Sequence, residues 1–197
     1  MRFRSSICFL LLCCFVMAAN GQTNNASNAK KRHKFAFYAG VGPNVYHNNL
    51  ETARNLVKPW NYAFVGRFMW EPEHFLSLGI ESGYNVLYRV DANSQAFGSA
   101  DVTNVAIPLQ VVVSMRFFTN YYFNFAMGQS ILLNKASTSG HGDFSASSWS
   151  FADFGLSLGY RHRFANRLSV GAEGKLFYST KYRDANLTLA FVAGYNF

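Results

Sequence analysis

The chain has 197 residues, of which 50% are apolar, 17% aromatic and only 14% charged, with a formal net charge of +8. Such a composition argues against a disordered chain, which is rich in charge and poor in aromatics. A long helical array is also disfavoured, because Gly, Ser, Asn, Phe and Tyr all outnumber Glu, and the length allows one domain or at most two.

Residues 1–21 read as a secretory signal peptide. Arg2 and Arg4 precede an apolar run from Ile7 to Ala19, which small residues close. The run is shorter than the roughly 20 residues of a spanning helix. Cleavage is expected after Ala19 or after Gly21. All three cysteines, Cys8, Cys13 and Cys14, fall in this segment. The mature chain is therefore expected to carry neither a disulfide nor a thiolate metal site. Loss of Arg2 and Arg4 leaves 16 basic and 10 acidic residues, a net charge of +6. Residues 22–32 are polar and unpatterned, and read as a flexible periplasmic lead-in. The basic run Lys30-Lys31-Arg32-His33-Lys34 reads as a solvated flank rather than a nucleic-acid stripe.

From residue 33 to 197 the dominant period is two. Leu76, Leu78, Ile80, Tyr84, Val86 and Tyr88 alternate with Ser77, Gly79, Glu81, Gly83 and Asn85. Val105, Ile107, Leu109, Val111, Val113, Met115 and Phe117 form a second apolar set, and Leu187, Leu189, Phe191, Ala193, Tyr195 and Phe197 a third. Eight strands are predicted, at about 33–45, 60–70, 74–90, 102–117, 121–133, 150–164, 167–179 and 186–197. Most exceed the about five or six residues usual in globular proteins. They suit the about 9–11 residues of a tilted membrane strand. Tight turns at Glu71-Pro72-Glu73, Phe118-Thr119-Asn120 and Ala165-Asn166 alternate with longer connections at 46–59, 91–101, 134–149 and 180–185, the pattern of a transmembrane barrel. Pro108 falls on the polar face of its strand, where a bulge or bend is expected.

Alternation alone does not separate a membrane barrel from a soluble lipocalin-like barrel that binds an apolar ligand. The polar face does. It is rich in Gly, Ala and Ser, which fit the narrow lumen of eight strands, whereas a water-facing surface would carry Lys and Glu. Tyr62, Trp70, Tyr84, Tyr88, Tyr121, Tyr160, Tyr178 and Tyr195 fall near strand ends, as interface girdles require. The fold expected is thus an all-β, eight-stranded antiparallel up-and-down transmembrane β-barrel. Its termini and short turns would be periplasmic and its long loops extracellular.

On this register the inward charges are Arg67, Glu81, Arg116, Asp153, Arg161, Arg163, Glu173 and Lys175. Buried charge must be paired, so a lumen network is expected. Counting from Ala165-Asn166 sets Glu173 almost opposite Gly159, with Arg161 diagonal. Counting from Pro72 brings Arg67 near Glu81, also diagonally. The expected role is to plug the lumen and fix strand register rather than to conduct. His141, Asp143 and Ser145 in the segment GHGDFSASSW supply residue types for a lipid hydrolase or acyltransferase. Their spacing matches no motif, and the segment reads as a polar loop. No metal spacing is present, and no cofactor is expected.

The signal peptide, the Ile107-Pro108-Leu109 strand, the Gly-rich hairpins and the terminal Gly194-Tyr195-Asn196-Phe197 together resemble small outer-membrane barrels of the PorT-like and OmpA/OmpX-like class. The resemblance covers the whole mature chain. It implies that Tyr195 and Phe197, on an alternating last strand, form the signal read by the barrel-assembly machinery. It also implies a non-enzymatic envelope protein. Partners would be outer-membrane lipid and a protein at the outer loops, such as an envelope or secretion component.

Overall fold

The computed structural model describes residues 34–47, 57–72, 75–94, 98–138 and 142–197. The expected signal peptide and lead-in lie outside these residues, as do His74 and His141. The strands are β1 (Lys34–His47), β2 (Val57–Lys58), β3 (Trp60–Glu71), β4 (Leu76–Ser94), β5 (Gly98–Phe117), β6 (Tyr121–Thr138), β7 (Gly142–Arg163), β8 (Leu168–Ser179) and β9 (Asp184–Asn196). Eight long strands pair antiparallel in a ring, in the order β4-β3-β1-β9-β8-β7-β6-β5, and the β4–β5 pairing closes it. The two-residue β2 is an addition on β4 beyond Pro59. Closure satisfies backbone groups that lipid could not.

The side chains sort as the period requires. Leu189 is 64% exposed, whereas Glu81 and Glu173 are 2% and 1% exposed. Phe37, Phe64, Phe68, Leu78, Ile80, Val111, Leu158 and Phe191 stand on the outside, while Ala36, Val112, Ala126, Ala190 and Val192 line the interior. A lipocalin-like barrel needs the reverse arrangement. An apolar exterior around a charged interior is a surface built for hydrocarbon.

Three local expectations change. The first concerns Pro108. No residue is inserted beside it: β5 pairs continuously with β6 from Ile107 to Leu109. On the other side the ladder to β4 skips from Ser82–Leu109 to Asn85–Ala106 with its register unchanged. The strand drops paired steps on the side facing β4 and keeps its course. Pro43 behaves alike: its ladder to β9 skips from Val41–Phe191 to Asn44–Thr188 while its pairing with β3 is unbroken.

The second concerns the upper end of β4. The bulge lies between Val86 and Tyr88, and it breaks the alternation read for this strand. Val86 is buried, as is Val105 opposite it. Leu87 joins Tyr46, Ala106, Leu132 and Phe177 in an internal apolar layer, with Tyr88 packed against it. Tyr88 is therefore not an interface residue.

The third concerns the connections. The described parts of segments 91–101 and 134–149 are strand rather than loop. Pairing of β4 with β5 continues to Ser94–Gly98, of β5 with β6 to Ala100–Thr138, and of β6 with β7 to Thr138–Gly142. The strands β4–β7 run 18 to 22 residues, whereas β1, β3, β8 and β9 run only 12 to 14. Half of the wall therefore rises as a four-stranded ribbon above the other half. The opposite end carries the short turns, with Phe118 and Thr119 at φ 46° and 61° and Arg167 at φ 69°. We call the two ends the ribbon end and the turn end.

Candidate functional site

Two regions carry the chemistry: the charged lumen and the edge of the ribbon. In the middle of the lumen, Arg67 on β3 faces Glu81 on β4 directly, not diagonally. The strands end later than the sequence indicates, with Glu71 closing β3 and the connection running from Pro72 to Phe75, and this moves the pairing. The Arg67 guanidinium binds Glu81 through Nε and Glu173 through both Nη atoms. Lys175 pairs with Glu81. The Tyr122 hydroxyl donates to Glu173 at 2.9 Å. Asn124 donates to Ser157 Oγ at 2.8 Å and reaches Glu173 at 3.5 Å. Glu173 lies opposite Gly159. A Cβ at Gly159 would come within 2.5 Å of the Tyr122 hydroxyl. The missing side chain therefore makes room for the tyrosine that bonds Glu173. Two cations and two carboxylates give a neutral, enclosed quartet.

Nearer the turn end a second cluster centres on Glu71. Its carboxylate accepts from Tyr38 Oη at 2.7 Å, Arg163 Nη2 at 2.6 Å and Arg116 Nη2 at 3.2 Å. Arg161 Nη2 lies 3.7 Å away. Arg161 does not pair with Glu173. Its guanidinium sits over the Tyr38 ring at 3.9 Å and the Tyr122 ring at 4.8 Å. Glu173 is already saturated by Arg67, Tyr122 and Asn124, and the two aromatic faces hold Arg161 lower in the lumen.

Asp153 joins neither cluster. Its Oδ1 accepts from Ser150 Oγ at 2.6 Å and from the Thr180 amide at 2.9 Å, tying β7 to the β8–β9 turn. Above it, the Asn44 side chain donates to the Val86 carbonyl at 2.9 Å. The apolar layer of Tyr46, Leu87, Ala106, Leu132 and Phe177 follows. Asn104, Asn134 and Tyr182 form the uppermost polar level. The lumen is filled by side chains, as eight strands dictate.

Glu71, Tyr38 and Tyr122 were not among the residues singled out in the sequence. Glu71 is masked there by the turn signal of Pro72. Yet Arg67, Met69 and Glu71 share one parity, as do Tyr122, Asn124 and Ala126, and strict counting along the strand finds them.

Of the residues considered for catalysis, Asp143 and Ser145 sit on the ribbon. Asp143 accepts from Ser137 Oγ at 2.6 Å, its cross-strand neighbour, and Ser145 lies opposite Lys135. Both are exposed, and His141 is outside the described residues. The ribbon edge itself is open. β8 pairs with β7 only from Phe154 onward. Among the described residues, positions 142–150 and 153 have a ladder on the β6 side alone, and the β6–β7 register shifts at Phe151 and Ala152, which have no partner in it. Phe144, Trp149 and Phe151 stand exposed along this stretch. On the last strand, Tyr195 and Phe197 are exposed, with ring centroids 5.4 Å apart.

No protein-family model matches the chain, and no curated protein sequence matches it. Among solved structures the chain is similar to Ail, the attachment invasion locus protein of Yersinia pestis, in complex with the heparin analogue sucrose octasulfate. The TM-score is 0.56 at 14% identity, over 84% of this chain and 99% of that one. The fold is that of the small outer-membrane barrels. Neisserial surface protein A is also matched, at TM-score 0.48 and 12% identity, over 83% of this chain and 97% of that one.

Proposed function

We propose that this is a non-enzymatic outer-membrane protein that uses its barrel as a rigid mount for the β4–β7 ribbon. In this reading the ribbon faces outward, the termini face the periplasm, and a protein partner docks as an added strand on residues 142–153. The observation that carries it is the open β7 edge. Backbone groups that no neighbouring strand pairs are a template for another extended segment, with Lys181 Nζ reaching one of them, the Trp149 carbonyl, at 3.4 Å. The uncharged run from Ser145 to Ser148 between exposed Phe144 and Trp149 would favour an uncharged or apolar segment. A likeness of fold to an attachment invasion locus protein accords with this reading. The neutral quartet would act as the plug and register lock of the mount. Tyr195 and Phe197 would serve the assembly machinery at the start of the barrel's life.

An epitope inserted at 139–141 tests orientation. It should be labelled by antibody on intact cells. Labelling only after permeabilisation would reverse the model. Ser145→Lys with Ser147→Lys tests the edge, since charge blunts an exposed strand. The variant should fold and display the epitope normally, but should abolish barrel-dependent adhesion of cells to immobilised protein. Adhesion unchanged in the variant would refute docking at this edge.

A further inference from the structure

We propose that the turn-end mouth of the lumen is a binding site for a phosphate-type oxyanion. The deeper quartet balances two cations with two carboxylates, but Arg116, Arg161 and Arg163 converge on the single carboxylate of Glu71. Within this cluster three guanidinium groups face one carboxylate. Clustered like charges at a partly open mouth attract a counterion or an anionic ligand.

The donors are also under-used. A guanidinium carries five N–H donors. Among the described residues, the side-chain hydrogen bonds of Arg116 and Arg163 each run through one nitrogen, Nη2. Both side chains stay accessible, at 18% and 31% exposure. Arg161 is fixed by the two tyrosine rings, so its position is set before any ligand arrives. A pre-placed set of arginine forks suits phosphate geometry.

A second observation points the same way. Ser169, only 1% exposed, has a buried hydroxyl with no hydrogen-bond partner among the described residues. It lies directly opposite Arg163 across β7–β8. A Cβ at Gly194 would run into the Tyr38 ring and lie 2.9 Å from this hydroxyl, so the three share one spot. An orphaned buried hydroxyl is costly. An anion seated between it and Arg163 would accept its hydrogen bond. This site stands apart from the ribbon and does not depend on which end faces the periplasm.

The test is thermal unfolding of the detergent-folded barrel, titrated with inorganic phosphate against chloride at matched ionic strength. Wild type should gain stability with phosphate, and Arg116→Gln with Arg163→Gln should weaken binding about tenfold or more, the equivalent of losing one charged hydrogen bond. Glu71→Gln should be unstable in chloride and gain more from phosphate than wild type does, because the anion replaces the lost carboxylate. Should that variant fail to fold, the wild-type and arginine arms still decide. A parallel arm embeds the barrel in phosphatidylcholine bilayers with or without phosphatidic acid. Stabilisation only there identifies a lipid headgroup as the source of the phosphate. Stabilisation in the detergent arm identifies the free ion. No shift in either arm, or a shift that the arginine variant retains, overturns the site.

Discussion

The two charge clusters sit on the same inward face of the same barrel, yet they are built on different terms. The middle quartet is closed and neutral. Each carboxylate oxygen there meets a guanidinium, an ammonium or a tyrosine hydroxyl. The Glu71 cluster is open to the end of the barrel and carries more positive than negative charge. The comparison teaches that inward placement alone does not set a charge's role. Depth does: far from water, charges must balance, while at the mouth solvent or a ligand completes the account.

The largest effect should come from Glu173→Ala. Removing one partner of a buried pair strands the other, at about 3–5 kcal/mol. Arg67 would lose the carboxylate that both its Nη atoms bind. The melting temperature in detergent should fall steeply, and an unchanged value would dissolve the distinction between the clusters. Glu71→Gln should cost less, about 1–3 kcal/mol, because Arg116 and Arg163 keep access to water. A loss equal to that of Glu173→Ala would show that depth does not matter. The smallest effect should come from replacing the whole quartet by apolar residues of similar volume, Arg67→Met, Glu81→Leu, Glu173→Leu and Lys175→Met together. Buried pairs so replaced are often neutral or better. Near-wild-type stability would show that the quartet gives register rather than net stability.

Strand β9 was fully legible in the sequence, because Leu187, Leu189 and Phe191 meet lipid while Thr188, Ala190 and Val192 meet the lumen. The contrast of two solvents writes the period. The ribbon was illegible for the same reason. Where both faces of a strand are exposed, as at residues 143–147, the contrast is lost and the sequence reads as a Gly/Ser-rich loop. The bulge at Val86/Tyr88 was hidden because one extra residue flips the parity without altering composition. Inward charges can be read from parity. Their partners cannot, because Arg67 reaches Glu173 across the lumen, a contact between strands that are not neighbours.

The central claim is that apolar side chains point to lipid around a charged centre. Spin labels on single cysteines placed successively at 186–192 test it most directly. All three native cysteines lie at or before Cys14, so the barrel itself offers a clean background. In a bilayer, collision with dissolved oxygen should peak at 187, 189 and 191 and drop at 186, 188, 190 and 192. Peaks at the even positions, or no alternation at all, would contradict the account.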